Sequence, residues 1–280
     1  MIKNNCYFES ANYQISRLIS TIDRESISKT YGCCDRTFWA WKFTDFPGSR
    51  YQEAIYALSW IYKNKTRNNK FYKNYLIKEW IKSGLKYWQK LQHQDGSFDE
   101  AYPNEKSLAA TSFTSFYLGE AFLLIKDEFD ISFISDIKKN FCKAGDWLCK
   151  NDETHGILSN HLSAAAAALT IIYKITNQKK YYDRSLFFLK RIFKHQSVEG
   201  WYEEYGGADI GYQTHGCFYL ARVWQLTKNA ELFSSLKLSI KFISNFIHPN
   251  LTIGGEYSSR NTNFYFPAAF EILAPHIKQA

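Results

Sequence analysis

The sequence lacks the motifs that mark several large enzyme classes. It contains no GxxxxGK[ST] phosphate loop, no GxGxxG dinucleotide fingerprint, no HExxH metal motif and no GxSxG nucleophile elbow. No CxxC pair occurs either, and Cys33 and Cys34 are adjacent, which disfavours a zinc site. These absences point away from nucleotide enzymes and serine hydrolases, and we expect neither a metal ion nor a cofactor.

Long apolar segments are also scarce. Residues 1–14 are polar and lack the apolar region of a secretory signal. We take residues 164–173 as the longest apolar stretch, and it is too short to cross a bilayer. We therefore expect a cytoplasmic protein without a membrane span, whose cysteines are reduced thiols.

The composition is that of a folded chain with a basic surface. Of the 280 residues, 45% are hydrophobic and 22% are charged, which is typical of globular proteins. Aromatic residues reach 18% and suit either a core or the flat walls of a carbohydrate cleft. The net charge of +8 fits a solvated basic surface or an acidic polysaccharide as partner. Because the lysines are dispersed and no nucleic-acid motif occurs, we expect no nucleic-acid partner.

An amphipathic helix followed by a Gly-containing loop and a nearly all-apolar helix recurs along the chain. Four copies of this pair lie within residues 70–275, and a less regular one lies within residues 1–66. The alternation predicts an all-α fold, an (α/α) toroid of about five to six helical hairpins. We expect it to form a single domain over residues 1–280.

The loops between the paired helices are the expected location of a site. In a toroid all of them lie at one end, so the loops around Gly96, Gly156, Gly200 and Gly254 are expected to converge. They are rich in His, Asp, Glu, Tyr and Asn, and loops on a rigid scaffold commonly carry function.

Asn160 and His161 begin one of the apolar helices. Asn is a good helix N-cap, so a structural interpretation makes Asn160 a cap and His161 a packed residue at the rim. A functional interpretation makes Asn160 the neutraliser of a substrate carboxylate and His161 a general base.

Tyr212 and His215 lie three residues apart near the start of the next apolar helix, where Asp209 can act as cap. That spacing places both rings on one face. They form either a proton-transfer pair or a Tyr hydrogen-bonded to a His in the core.

Other polar and aromatic residues of the loops are candidates for binding substrate. Arg260 can pair with the carboxylate of an acidic sugar, or equally with Glu256 or Glu271. The loops also supply many carboxylates, of which a glycoside hydrolase needs two. The full set of predicted substrate-binding residues is Asp95, Glu100, Trp201, His215, Tyr257 and Arg260.

The helix-pair repeat, the segment Asp95-Gly-Ser-Phe-Asp-Glu100 and the pair Asn160-His161 resemble the helical-toroid domains of polysaccharide lyases, of the heparinase II/III-like and alginate lyase groups. The resemblance implies that Asn160 neutralises a uronate carboxylate, His161 removes the C5 proton and Tyr212 protonates the leaving oxygen. It implies Arg260 as a substrate clamp. The β-sandwich and the secretion signal that usually accompany such toroids are missing from this sequence.

A weaker resemblance links the segment beginning at Gln92 to the repeats of terpene cyclases and prenyltransferases, but their DxDD motif is absent. The sequence therefore favours a carbohydrate-active enzyme that abstracts a C5 proton from an acidic oligo- or polysaccharide, as a lyase or epimerase, in surface polysaccharide metabolism. Two alternatives stay open, a glycoside hydrolase using paired loop carboxylates and a non-catalytic glycan-binding scaffold.

Overall fold

The described part of the chain is mostly helical. The computed structural model describes residues 6–66, 68–255, 257–258, 261 and 263–280. Two short 3-10 helices occur at Ser49–Glu53 and Lys126–Glu128. Within these residues, backbone pairing between extended segments is limited to isolated bridges, so the all-α prediction is confirmed. The α-helices are α1 (Cys6–Thr21), α2 (Arg36–Trp39), α3 (Ala54–Lys63), α4 (Tyr75–Leu91), α5 (Leu108–Ile125), α6 (Ile131–Lys150), α7 (Ser159–Thr176), α8 (Lys179–Lys194), α9 (Ile210–Thr227), α10 (Ala230–Ser244) and α11 (Ala268–Leu273).

The helices are distributed over two compact units. Unit 1 comprises Met1–Trp147 and Lys174–Asn177, and unit 2 comprises Leu148–Tyr173 and Gln178–Ala280. The single-domain organisation, the number of hairpins and the convergence of the Gly loops stay predictions.

In unit 1 the amphipathic pattern of α4 produces a helix with one buried face. Asn74 caps α4 by accepting hydrogen bonds from two backbone N–H groups, and the apolar face with Ile77, Ile81 and Trp88 is buried. The following helix, α5, is buried on nearly all sides and packs on α3. Such a pair of helices follows from the pattern in the sequence.

Among the described residues, the apolar segment that contains α5 is longer than residues 164–173, so the prediction of the longest apolar stretch is wrong. Leu108–Glu128 is long and apolar enough to cross a membrane by length and composition, which residues 164–173 are not. Because 83% of its apolar window is buried inside the structure, this segment has the surroundings typical of a core helix.

Unit 2 has the same alternation of amphipathic and buried helices. The alanines at 164–168 of α7 are at most 1% exposed. Gly216 of α9 lies against the start of α7, where an added Cβ would be 3.4 Å from Ser163 Oγ and 3.6 Å from Asn160 Cα. Small residues thus allow the backbones of α7 and α9 to approach each other.

The last helix is shorter than the sequence predicts. An apolar helix is expected from about residue 264, whereas α11 begins at Ala268. Pro267 precedes it, and a proline disfavours helical conformation in the residue before it while suiting the first turn. Residues 263–266 are accordingly not helical.

Two Gly loops are held against neighbouring helices. Gly96 and Gly200 have φ of +102° and +108°, a region that favours glycine. A Cβ at Gly96 would lie 2.2 Å from the carbonyl oxygen of Lys143 in α6, and one at Gly200 would lie 2.4 Å from that of Leu238 in α10. Glycine is therefore required at both positions for conformation and for space.

Candidate functional site

The start of α7 brings His161 against a buried carboxylate. The ring Nδ1 of His161 lies 2.7 Å from Oε2 of Glu153, which belongs to the loop after α6. The side chain of Glu153 is 3% exposed, and that of His161 is 20% exposed. The other oxygen of Glu153 lies 2.9 Å from Nδ1 of His155 and accepts the backbone N–H of that residue. Glu153 thus orients the His161 ring with one oxygen and the loop with the other.

The surroundings of Glu153 favour its ionised form. Burial raises its pKa, but the hydrogen bonds from His161 and His155 more than offset this and lower the pKa to about 2. An ionised Glu153 favours the His161 tautomer that carries a proton on Nδ1, which leaves Nε2 as the basic nitrogen. An imidazole oriented in this way by a carboxylate is suited to act as a general base.

Asn160 is held by a second glutamate, Glu204. Asn160 is 2% exposed, its Nδ2 donates to Oε1 of Glu204 at 2.5 Å, and its backbone N–H donates to Oε2 at 3.0 Å. The backbone N–H and hydroxyl of Ser159 both donate to the carbonyl of Glu203. Residues 203–204 therefore satisfy N–H groups at the start of α7 that have no partner within the helix.

Glu204 is a buried carboxyl with an unusual proton affinity. It is 4% exposed, and burial raises its pKa to about 7 although the hydrogen bonds from Asn160 and the charge of His161 oppose the shift. The nearby Asp209 raises the pKa further. The pKa of Glu153 is thus lowered and that of Glu204 is raised. Glu153 contacts His161, and Glu204 contacts the preceding residue, Asn160.

Tyr212 lies on the same face of α9 as Gly216, which contacts the start of α7. The Asp209 side chain caps α9 by accepting the Tyr212 N–H at 2.9 Å, as the sequence predicts. The ring of Tyr212 is half-buried, 5.5 Å from the ring of Phe264 and 6.0 Å from that of Tyr205. The structure therefore brings Tyr212, Asn160 and His161 into one region of unit 2.

His215 lies deeper in the same aromatic cluster. It is 5% exposed, its Nε2 is 3.1 Å from the hydroxyl of Tyr219, and its ring stacks on Phe266 at 4.2 Å. His215 is enclosed and within hydrogen-bond distance of a tyrosine, but that tyrosine is Tyr219, whereas the structural alternative named Tyr212. The rings of Tyr212 and His215 each contact that of Phe264, and their action as a proton-transfer pair stays a prediction.

Two predicted substrate-binding carboxylates lie in unit 1. Asp95 accepts hydrogen bonds from the backbone and hydroxyl of Ser97 and lies 2.8 Å from Nζ of Lys106. Glu100 lies 2.9 Å from the Arg50 guanidinium. These contacts order the loop of residues 92–100.

Trp201 and Tyr257, two of the remaining candidates, contribute to loop structure. Trp201 donates its indole N–H to Glu199, and the Tyr257 hydroxyl donates to the carbonyl of Phe246 and accepts the Gly254 N–H. Arg260 and its predicted partner Glu256 lie outside the described residues.

The structure adds Glu153 to the predicted site, and it distinguishes Glu204 from the other loop carboxylates. Glu153 has no pattern in the sequence that ties it to His161. Glu204 follows Gln196 and Gly200 at the same spacing with which Glu100 follows Gln92 and Gly96. This repeated spacing is a sequence pattern that singles out Glu204. In the part of the chain that the structure describes, no group of three His, Cys, Asp or Glu side chains could hold a metal ion.

Comparison with known proteins identifies the family. The family model of the ulvan lyase N-terminal domain matches residues 43–266. No curated protein matches the chain. A solved structure described as a polysaccharide lyase aligns with 98% of the chain at 10% identity and a TM-score of 0.47, and the chain spans 52% of that protein's length. The resemblance to an all-helical polysaccharide lyase is confirmed, and the chain belongs to the ulvan lyase N-terminal domain family.

Proposed function

We propose that the protein cleaves an acidic, uronate-containing polysaccharide by β-elimination, with ulvan as the first substrate to test. His161 takes the C5 proton of the uronate on Nε2, and the C5–H electron pair forms the C4=C5 double bond as the C4–O bond breaks. Tyr212 gives a proton to the leaving oxygen. Asn160 binds the uronate carboxylate, on which negative charge increases in the transition state.

The observation that carries the proposal is the contact between His161 and the buried Glu153. A general base must be oriented, and it must tolerate the positive charge that it gains. Glu153 orients the imidazole by its contact with Nδ1, and it stabilises the positive charge because its pKa of about 2 keeps it ionised beside the imidazolium. The family of the chain and its net charge of +8 also support an acidic polysaccharide as substrate.

Glu204 supports the role of Asn160. Two hydrogen bonds to Glu204 fix the position of the Asn160 amide. A substrate carboxylate beside an ionised Glu204 would be repelled, and the raised pKa of about 7 allows Glu204 to be neutral when the substrate is bound. The site thus combines a fixed amide donor with a carboxyl that can lose its charge.

The test is the formation of an unsaturated product. The full chain is incubated with ulvan and with other uronate polysaccharides, and ultraviolet absorbance of the new C4=C5 bond is followed. His161→Ala should lower the rate by about 10²–10⁴-fold, the usual contribution of a general base.

His155→Ala is the matched control, because His155 contacts the same carboxylate but its side chain is 82% exposed. It should keep most of the activity. Equal rates for the wild type and His161→Ala on every substrate that is cleaved would contradict the assignment of the base.

A second candidate, a glycoside hydrolase, is favoured by one observation. Glu153 and Glu204 have pKa values of about 2 and about 7, and carboxyls with such separated values can act as base and acid in glycoside hydrolysis. The hydrogen bonds that already occupy both carboxyls make elimination the better proposal. Release of reducing ends without ultraviolet absorbance would identify hydrolysis.

A further inference from the structure

Tyr205 lies in a tight turn that is unfavourable for tyrosine. The backbone N–H of Glu204 donates to the carbonyl of Gly207 at 2.8 Å, and that of Gly207 donates to the carbonyl of Glu204 at 3.1 Å. Between them, Tyr205 and Gly206 have φ of +54° and +84°. Positive φ at both central residues is the pattern of a type I′ turn, in which Asn, Asp and Gly are preferred at the first position. A tyrosine there is conformationally strained, and strain of this kind often marks functional sites.

The turn exposes the ring of Tyr205 beside two further aromatic side chains. Tyr205 is 66% exposed, so burial of its ring does not account for a tyrosine at this position. Its ring centroid lies 6.0 Å from that of Tyr212, which lies 5.5 Å from that of Phe264. We refer to Tyr205, Tyr212 and Phe264 as the Tyr205 platform.

The position of the platform is fixed on both sides. Phe264 packs on the backbone of α9 so closely that a Cβ at Gly211 would lie 2.9 Å from its ring. Tyr205 directly follows Glu204, which is anchored to Asn160 by two hydrogen bonds. The platform is therefore held next to Glu204 and Asn160, the residue that precedes His161, and it needs little rearrangement to receive a ligand.

We propose that the Tyr205 platform is a sugar-binding subsite, on which a pyranose ring of the polysaccharide stacks its C–H face against Tyr205. Aromatic rings offer a flat apolar surface with a polar edge, which complements the two kinds of surface of a sugar ring. The inference rests on the proposed function for the nature of the ligand. It assigns a residue, Tyr205, that the elimination itself does not require.

The test measures binding without turnover. In full-length chain carrying His161→Ala, the affinity for size-defined ulvan oligosaccharides is measured by calorimetry, with and without a change at Tyr205. Tyr205→Asn removes the ring and suits the positive φ, so the turn is retained. It should raise Kd by roughly 5- to 10-fold, as expected for the loss of one aromatic stacking contact. Tyr205→Phe keeps the ring and should stay within about twofold of the parent.

Tyr75→Asn is the control for loss of an exposed tyrosine, because Tyr75 is also 66% exposed and begins α4, at the opposite end of that helix from the loop around Gly96. It should leave Kd unchanged within about twofold. The thermal midpoint of Tyr205→Asn should equal or exceed that of the parent, since the substitution relieves strain.

The inference fails if folded Tyr205→Asn binds the oligosaccharides as tightly as the parent, or if the parent binds none of them. Its failure is distinguishable from that of the proposed function. Binding that depends on Tyr205, without unsaturated product from the wild type, supports the subsite and contradicts elimination. Unsaturated product formed with the same KM by wild type and Tyr205→Asn supports elimination and contradicts the subsite.

Discussion

The loop of residues 92–100 in unit 1 and the loop of residues 196–204 in unit 2 are anchored in the same way, by an arrangement that we call the shared frame. We call them the Gln92 loop and the Gln196 loop. The Gln92 side chain donates to the carbonyls of Gly96 and Asn140, and the Gln196 side chain donates to those of Gly200 and Ser235. Each loop then places a positive-φ glycine on the next amphipathic helix, followed by a buried aromatic residue and a glutamate. The matching positions are Gln92 and Gln196, Gly96 and Gly200, Phe98 and Tyr202, and Glu100 and Glu204.

The two loops differ in the surroundings of the final glutamate. Glu100 has a side chain that is 35% exposed, and it pairs with Arg50, which also pairs with Glu53. Glu204 is 4% exposed and contacts the amide and backbone of Asn160. The shared frame therefore sets where the glutamate carboxyl lies. The residues around that carboxyl determine whether it belongs to an ordinary ion pair, as in Glu100, or has a shifted pKa within a site, as in Glu204.

The largest expected effect tests the shared frame. Gly200→Ala and Gly96→Ala should each lower the free energy of unfolding by about 3–5 kcal/mol, because the new Cβ meets a helix carbonyl and φ is positive. Gly156→Ala is the control, since its φ is +122° but a Cβ there meets nothing within 4 Å, and it should lose only about 1 kcal/mol. Equal losses for all three in urea unfolding would show that close contact with the helices is unimportant.

The second-largest effect tests whether Glu204, unlike Glu100, makes stability depend on pH. The pKa of Glu204 rises on folding from 4.5 to about 7, so the folded state binds the extra proton, and stability declines as pH rises from about 5 to about 8. The decline should reach about 3 kcal/mol at most. Glu204→Gln should remove it and Glu100→Gln should preserve it, as measured by urea unfolding across this range. An unchanged pH dependence in Glu204→Gln would contradict the assignment.

A smaller effect tests whether the two glutamines are equivalent. Gln92→Ala and Gln196→Ala each remove two hydrogen bonds to backbone carbonyls, and each should cost about 1–2 kcal/mol. The exposed Gln94 in the same loop provides a control that should change stability by less than about 0.5 kcal/mol on substitution by Ala. A difference above about 1 kcal/mol between the Gln92 and Gln196 variants would break the comparison.

The smallest effect concerns the ion pair of the Gln92 loop. Glu100→Gln should lower stability by less than about 1 kcal/mol, because both partners are about one-third exposed and Arg50 keeps its contact with Glu53. The loss should diminish as salt is added and the pair is screened. A large, salt-independent loss would mean that Glu100 resembles Glu204 more closely than its contacts indicate.

The sequence predicts what depends on local pattern. The periodicity of α4 identifies Ile77, Ile81 and Trp88 as a buried face, and the caps before α9 and after the loops are recognisable by residue type. The pair Asn160-His161 is found because it lies in the first turn of a helix of distinctive composition, although α7 begins at Ser159 and Asn160 is therefore not its N-cap. These features need only the order of neighbouring residues.

The sequence does not predict contacts between distant segments. Glu204 reaches Asn160 from the loop between α8 and α9, and only burial in the packed structure raises the pKa of its carboxyl to about 7. His215 shares a face with Tyr212, yet the rings of Phe264 and Phe266 decide that it is enclosed. Burial and proton affinity are properties of such packing, so residue type and spacing are insufficient to predict them.

The contact of Gly200 with the Leu238 carbonyl has a mechanical consequence for Glu204. The Gln196 loop contacts α10 at two points, through the hydrogen bond of Gln196 to the Ser235 carbonyl and the close packing of Gly200 on the Leu238 carbonyl. Its other end carries the Glu204 carboxyl, which binds Asn160. A small displacement of α10 is therefore transmitted along a short, stiff segment of backbone to the start of α7. Mutations on α10 are therefore expected to change the geometry of the site without changing a residue in it.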